Sequence, residues 1–306
     1  MALPRRDVQF KARDGTLLRG WFYPQRSTSP CVIMTHGLGG VRHYWLPAFA
    51  DRFHHAGYNV LLYDNRNWGD SDGLPRQESN PPLQQADYYD AFNFVTTFSS
   101  VDASCIVYWG TSFSGGNVLY AAAVDKRIKA AIVQCPAVSG ETRSLAFKDR
   151  ISTLLDNRTY DATGTYTEPE RIPLIADTTE EAQAGASNVM FPGVHAYENV
   201  RGSYNCGATW ENSITTQTQL FMLSFEGQAM VHRISPTPLL MVIPGNDTLV
   251  TTSSQLATYG KAREPKQMLY LDGAGHFDIY TGAWFEKNIA AQLEFLKRHV
   301  GLSKNV

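Results

Sequence analysis

One stretch decides the fold of this 306-residue chain: Trp109-Gly110-Thr111-Ser112-Phe113-Ser114-Gly115-Gly116. It lies between an apolar run that predicts a buried strand, 105–109, and a segment that predicts a helix, 113–123. A serine on so sharp a turn adopts a strained backbone that lifts its hydroxyl clear of the sheet, and small residues two places before and after it let strand and helix approach. Gly110 is the first small residue, and Ser114 replaces the more usual glycine at the second. We therefore predict Ser112 as a nucleophile, the alternative being a glycine-rich turn without chemistry.

Apolar strands alternate with helices on both sides of this turn. Alternating apolar and polar residues predict an antiparallel hairpin over 8–23, with its turn at Asp14-Gly15. Buried strands are predicted at 31–35, 58–63, 105–109, 128–134, 239–243 and 267–271, and helices at 46–56, 83–98, 113–123 and 284–299. This order predicts an α/β fold, in which a mostly parallel twisted sheet is flanked by helices on both faces.

The alternation stops over residues 138–233, where the sequence indicates only short helical patches and polar loops. Structureless loops of such length are rare inside a compact core. We therefore predict two units: a core domain formed by 1–137 and 234–306, and an inserted, mainly helical lid domain formed by 138–233.

A nucleophilic serine needs a base, and the base needs an acid that orients it. On a sheet of this kind the chain order is serine, acid, histidine. His276 lies in a glycine-rich loop directly after a predicted strand. Three other histidines lie downstream of the serine, in the insertion or near the end of the last helix: His195, His232 and His299. Asp247 is the only carboxylate in the loop after the preceding strand, and the alternative, Asp278, is assigned a local structural role. We predict a catalytic triad of Ser112, Asp247 and His276.

Two backbone N–H groups are predicted to bind the oxyanion of the reaction. They belong to Phe113, directly after the nucleophile, and to Leu38, in the glycine-rich loop after the third strand. His36, at the start of that loop, is predicted to tie loops together rather than to transfer protons. Three carboxylates follow the fourth strand in an asparagine- and glycine-rich loop: Asp64, Asp70 and Asp72. Their spacing indicates turns and no histidine joins them, so we predict no metal site.

Composition excludes several classes of protein. Hydrophobic residues make up 43% of the chain, which is enough for a sizeable core. The formal net charge is -2 and the basic residues are scattered, which argues against a nucleic-acid partner. The sequence shows no signal segment and no run of about 18 apolar residues, so we expect no membrane span and a cytoplasmic location. The four cysteines lack the CxxC spacing of zinc or redox sites and are expected to be reduced thiols.

Four motifs carry a resemblance to a known superfamily: 63–73 (YDNRNWGDSDG), 110–116 (GTSFSGG), 246–248 (NDT) and 275–280 (GHFDIY). With them, the chain resembles the α/β-hydrolase superfamily over nearly its whole length. More narrowly, it is similar to a dienelactone-hydrolase-like branch that includes fungal polyketide transferases and thiohydrolases. The sequence 210–212 (WEN) in the insertion also fits that branch. The resemblance implies acyl transfer from a thioester or ester to water or an alcohol, often in secondary-metabolite pathways.

These expectations combine into one predicted function. We expect a serine hydrolase or acyltransferase that cleaves a hydrophobic, polyketide-type acyl ester or thioester through a Ser112 acyl-enzyme, without a cofactor. The substrate is a small molecule; delivery by a carrier protein and a homodimer are left open. Five residues of the insertion are candidates for the acyl pocket, although each also suits the lid core: Phe147, Phe191, Trp210, Phe221 and Met222.

Two alternatives to this function stay open at the level of sequence. The first is hydrolysis of a carbon–carbon bond in a β-diketone, which uses the same triad. The second, from another class of protein, is a non-hydrolytic cyclase or ligand-binding protein that keeps the fold without covalent chemistry.

Overall fold

A computed structural model of the chain describes residues 4–141, 151–156, 165, 167–186, 188–207 and 209–302. The strands in these ranges are β1 (Arg6–Lys11), β2 (Leu17–Tyr23), β3 (Ser29–Thr35), β4 (Asn59–Tyr63), β5 (Val101–Thr111), β6 (Ala130–Gln134), β7 (Arg171–Ile172), β8 (Ile214–Thr215), β9 (Leu239–Pro244) and β10 (Lys266–Leu271). The α-helices are α1 (Leu46–His55), α2 (Pro81–Val95), α3 (Phe113–Val124), α4 (Ile151–Asp156), α5 (Thr179–Gln183), α6 (Val194–Val200), α7 (Thr216–Leu223), α8 (Thr252–Lys261) and α9 (Gly282–His299).

Eight strands form one sheet in the order β1-β2-β4-β3-β5-β6-β9-β10. The hairpin β1–β2 and the pair β2–β4 are antiparallel, and all other neighbours are parallel. The predicted α/β fold with a leading hairpin is therefore confirmed. Because parallel strands end at the same edge of a sheet, the loops that follow β3, β5, β6, β9 and β10 all gather there.

Both faces of the sheet are buried under helices. Val32 belongs to a core cluster with Phe49 of α1, whereas the next residue, Ile33, belongs to a second cluster with Tyr88 of α2. Successive side chains of a strand point to opposite faces, so both sets of positions must be apolar. This double burial explains why the central strands appear in the sequence as unbroken apolar runs.

Helix boundaries differ from the prediction where side chains cap the ends. Helix α2 begins at Pro81 rather than at 83, because the Asn80 side chain accepts the Leu83 N–H at 3.4 Å and two prolines suit the first turn. Helix α8 was not predicted. The residues that it buries, Gln255 and Thr258, are polar, so it lacks the apolar stripe by which a helix is recognised.

The segment between β6 and β9 contains the short helices α4 to α7 together with a two-stranded antiparallel sheet, β7–β8. Its last part, a 3₁₀ turn over Gly227–Arg233, packs against α3 and α8 of the core. There the Lys126 ammonium of the core donates to the Arg233 carbonyl. The predicted division at 137/138 and 233/234 stays a prediction, and part of the predicted lid domain contacts the core directly.

In the described ranges, every helix is too short or too polar to span a membrane. Of the cysteines that border strands, Cys31 and Cys135 are buried and Cys105 is half-buried.

Candidate active site

Ser112 occupies the sharp turn between β5 and α3. Its backbone has φ 53° and ψ -119°, a left-handed conformation that a residue with a side chain rarely adopts. The turn is also tight, because a Cβ on Gly110 would lie 2.4 Å from the Ser114 carbonyl oxygen. The Ser112 N–H donates to the Gln134 carbonyl at 2.9 Å, which ties the turn to β6. The strained strand-to-helix turn expected from the sequence is present.

Ser114, the departure from the usual glycine, has a structural role in this turn. It lies in the first turn of α3 and is 1% exposed. Its hydroxyl accepts the Thr111 N–H at 2.9 Å and donates to the Thr35 carbonyl at 2.9 Å. The hydroxyl therefore joins the ends of β3 and β5, and it is occupied by these hydrogen bonds.

The structure brings Ser112, His276 and Asp247 together. The Ser112 Oγ lies 3.0 Å from His276 Nε2, and His276 Nδ1 lies 2.8 Å from an Asp247 carboxylate oxygen. His276 follows β10 and Asp247 follows β9, so both loops meet the serine at the carboxyl edge of the sheet. Both side chains are buried, at 3% and 0% exposure. The order and spacing are those of a serine nucleophile, its base and the acid that orients the base.

Asp247 is held by more donors than the histidine alone. One carboxylate oxygen accepts the N–H groups of Leu249 and Val250, each at 2.9 Å. The other accepts the Gln255 side-chain amide at 3.0 Å as well as the His276 ring. Gln255 could not be found from the sequence, because helix α8 lacks an apolar stripe. A local sign of this helix is its N-cap, where the Thr251 side chain accepts the Ser254 N–H.

The environment of His276 favours its protonated form. Burial lowers the pKa of His276, but the Cys135 sulfur, 3.9 Å from Nε2, and the Asp247 carboxylate raise it. The net result is a pKa above the ordinary value for histidine. A raised pKa makes the neutral His276 ring a stronger proton acceptor, and the buried Asp247 carboxylate stabilises the protonated ring.

The two predicted oxyanion donors border the space next to Ser112. Phe113 is the first residue of α3, where backbone N–H groups have no acceptor within the helix. Leu38 and Phe113 line the same cavity as the Ser112 side chain. Their role as donors stays a prediction, and the positions agree with it.

Two cavities meet at Ser112. The larger, about 430 Å³, is lined by both apolar and polar side chains. Its apolar lining residues include Leu38, Phe113, Ala137, Phe191, Met222, Leu249 and Val250, and its polar ones include Ser139, Gln228, Ser253, Ser254 and Lys261. The smaller, about 60 Å³, is lined by the glycine-rich loop 36–41 and by Tyr44, Trp45, Phe191, Val200, Leu249, His276, Phe277 and Tyr280, among others.

The predicted acyl-pocket residues divide between the cavities and the base of the lid. Phe191 lines both cavities and Met222 lines the larger one. Trp210 and Phe221 are absent from the described lining of either. Trp210 instead donates its indole N–H to the Gly39 carbonyl at 2.7 Å, which fixes the insertion on the glycine-rich loop. Phe147 lies outside the described residues.

Two other residues singled out in the sequence, His36 and Asp278, form hydrogen bonds that hold loops in place. His36 accepts the Asn65 N–H at 3.0 Å and so joins the loops after β3 and β4, as predicted. The alternative acid, Asp278, accepts the Gly275 N–H at 2.7 Å and has His195 at 4.0 Å.

The carboxylates after β4 pair with arginines. Asp64 and Asp70 both contact Arg42, and Asp72 contacts Arg19 at 2.5 Å. Within the described part of the chain, no three His, Cys, Asp or Glu side chains are arranged to hold a metal ion.

Comparison with known proteins identifies the family of the chain. Residues 30–283 match the alpha/beta hydrolase fold family. A thiohydrolase from Eupenicillium brefeldianum is 32% identical over 295 residues, which cover 96% of this chain and 94% of that protein. A polyketide transferase from Aspergillus fumigatus is 32% identical over 305 residues, which cover 97% and 99%. The crystal structure of the alpha/beta hydrolase GrgF from a Penicillium species superposes with a TM-score of 0.84 at 33% identity, covering 97% of this chain and 99% of that one. The chain therefore belongs to the alpha/beta hydrolase fold family and is a hydrolase.

Proposed function

We propose that the enzyme transfers a hydrophobic, polyketide-type acyl group from an ester or thioester to water or an alcohol, through an acyl-enzyme on Ser112. The observation that carries the proposal is the contact of Ser112 Oγ with His276 Nε2 at 3.0 Å, at the point where the two cavities meet. The names of the fungal relatives, a thiohydrolase and a polyketide transferase, support the class of substrate.

The first step forms the acyl-enzyme. The Ser112 oxygen attacks the substrate carbonyl while His276 Nε2 takes the hydroxyl proton, and the N–H groups of Leu38 and Phe113 bind the oxyanion. Collapse of this intermediate breaks the bond from the carbonyl carbon to sulfur or oxygen. The leaving thiol or alcohol departs with the proton from His276, and Asp247 stabilises the transient imidazolium.

The second step transfers the acyl group to the acceptor. His276, again neutral, takes the proton of a water or an alcohol as its oxygen attacks the ester carbonyl on Ser112. When the second intermediate collapses, the proton returns from His276 to the serine oxygen. The product is a carboxylic acid if water attacks and an ester if an alcohol attacks.

The larger cavity supports a hydrophobic acyl group. Its apolar lining combines Phe113 of the core with Phe191 and Met222 of the insertion, so both units of the chain contribute to it. Ligand sites of this kind are mostly apolar with a few polar groups that fix orientation. The insertion is accordingly the part of the chain where substrate selection is made.

The test replaces the proposed nucleophile. Ser112→Ala should abolish hydrolysis of aryl esters and acyl thioesters and abolish the adduct with a fluorophosphonate probe, while thermal unfolding stays that of a folded protein. The matched control is Ser114→Ala, two residues further on, which should keep the adduct on Ser112. Full activity of Ser112→Ala would contradict the covalent mechanism. Turnover of a β-diketone without turnover of any ester or thioester would replace the proposal by carbon–carbon hydrolysis.

A further inference from the structure

The two cavities that meet at Ser112 differ in their relation to the base. Among the described residues, His276 lines the smaller cavity and is absent from the lining of the larger one. Four residues line both cavities and so mark the boundary between them: Leu38, Ser112, Phe191 and Leu249. An acyl carbon bound to Ser112 therefore has a large space on one side and a small space, next to the base, on the other.

The chemistry of acyl transfer indicates which part of the substrate each cavity holds. The leaving group receives its proton from His276 Nε2, and the acceptor gives its proton to the same nitrogen, so both must lie next to the ring. The acyl chain needs no contact with the base. The larger cavity is then the place of the acyl chain, and the smaller cavity holds first the leaving atom and afterwards the acceptor.

The walls of the smaller cavity are formed by packed aromatic rings. Trp45 stacks on Tyr280, with ring centroids 4.6 Å apart and planes inclined by 18°, and it also contacts Tyr44 at 4.0 Å. The Tyr280 hydroxyl is hydrogen-bonded to the Thr111 side chain, next to the nucleophile. The insertion adds Val200, the last residue of α6, which is 7% exposed. Closely packed aromatic side chains resist displacement, so the volume between them limits the size of the molecule that can bind.

We propose that the smaller cavity is the acceptor site and that it favours water or a short alcohol of a few non-hydrogen atoms over longer alcohols. A buried water requires about 10–15 Å³ of such a cavity, so a volume of about 60 Å³ has room for only a few non-hydrogen atoms beside His276. The inference rests on the proposed function, because it presumes the Ser112 acyl-enzyme.

The experiment measures how one acyl-enzyme divides between competing acceptors. A single acyl thioester is supplied with water and either ethanol or 1-hexanol, and the ratio of ester to acid is measured by mass spectrometry. Both products come from the same intermediate, so the ratio does not depend on how fast that intermediate forms. Val200→Ala is the variant that enlarges the smaller cavity. The matched control is Val250→Ala, the same substitution in the wall of the larger cavity.

The expected result is selective. Val200→Ala should raise ester formation with 1-hexanol relative to ethanol by about tenfold, a typical effect for one or two methyl groups in a pocket. Val250→Ala should leave that ratio unchanged and instead improve kcat/KM for bulkier acyl donors. Val200→Leu, which narrows the cavity, should shift products from either ester toward the acid, and it keeps the test available if Val200→Ala folds poorly.

Two results would overturn the assignment. One is a relative use of the two alcohols that is the same in the wild type, Val200→Ala and Val200→Leu. The other is a shift in alcohol preference caused by Val250→Ala rather than by Val200→Ala. Failure of the proposed function is recognised separately, because then no acyl adduct forms on Ser112 in any variant.

Discussion

Asp247 is the residue whose charge has the clearest consequence for the reaction. Its side chain is fully buried, and its carboxylate accepts four hydrogen bonds, one of them from His276. Such a carboxylate both fixes the ring of the base and raises the pKa of His276.

Replacing this carboxylate by an amide should change both rate and pH dependence. We expect Asp247→Asn to lower kcat by about 10⁴-fold, because the amide neither holds the active tautomer nor stabilises the imidazolium. Only the neutral ring accepts the serine proton, so wild-type activity rises with pH through the raised pKa of His276. Without the carboxylate this rise should move to lower pH. Profiles of kcat/KM against pH for both proteins measure the shift, and a rise at an unchanged pH would contradict the role given to Asp247.

The sequence predicted the triad because each member directly follows a strand, and chain order then assigns the roles. Residues whose importance depends on contacts between distant segments could not be predicted in this way. Cys135 touches His276 across 141 positions of sequence, and Trp210 reaches Gly39 across 171. Trp210 therefore looked like a pocket residue in the sequence, whereas its indole N–H holds the insertion on the core.

At the scale of elements, α3 must approach the loop after β6 very closely. A Cβ on Gly116, inside α3, would lie 2.0 Å from the Ala137 carbonyl oxygen and 2.8 Å from the Phe225 ring. Gly260, inside α8, offers the opposite case, because a Cβ there would meet no atom within 4 Å. The same substitution in two helices therefore separates the cost of a clash from the gain of helix propensity.

We expect the two glycine variants to change stability in opposite directions. Gly260→Ala should raise the free energy of unfolding by about 0.5–1 kcal/mol, because alanine loses less backbone freedom in a helix. Gly116→Ala should lower it by about 1–3 kcal/mol, since the helix must shift away from its neighbours. Urea unfolding of both variants measures the difference. Equal stabilisation by the two substitutions would show that α3 has room that the structure does not give it.

The elements that the sequence predicted well are those with one strong local signal. Helix α1 follows its amphipathic pattern and ends before Gly57, and the central strands are unbroken apolar runs. The elements that the sequence did not predict are helix α8 and the two-residue strands β7 and β8. Their positions follow from packing on other parts of the chain, which a local pattern does not record.

At the scale of the whole molecule, hydrogen bonds join the insertion to the core, and two of them lie in different loops of the core. One is the glycine-rich loop, where Trp210 binds the Gly39 carbonyl. The other is the loop after β4, where Glu78 accepts the Thr215 hydroxyl of β8 at 3.4 Å. Glu78 is 6% exposed, so this contact places a carboxyl group in a nearly dry seam between the two parts.

Glu78 should make the stability of the protein depend on pH. Burial raises the pKa of Glu78 from 4.5 to about 7, although the Thr215 hydrogen bond and Arg171 oppose it. Between these two values the folded protein binds a proton that the unfolded chain has released, so this group lowers stability as pH rises through the window. Glu78→Gln removes the group that titrates and keeps an amide in its place. We expect the variant to gain stability over the wild type with rising pH, most above about pH 7.

Thermal unfolding at about pH 5 and about pH 8 measures the effect as the difference between variant and wild type, so that other titrating groups cancel. The matched control is Glu286→Gln, because Glu286 is 59% exposed and pairs with Arg52 at the surface. Exposed pairs of this kind contribute about 0–1 kcal/mol, so its difference from the wild type should be small at both pH values. If Glu78→Gln changed stability by the same amount at both pH values, Glu78 would be charged in the folded protein throughout. The seam between insertion and core would then be wetter than the burial of Glu78 indicates.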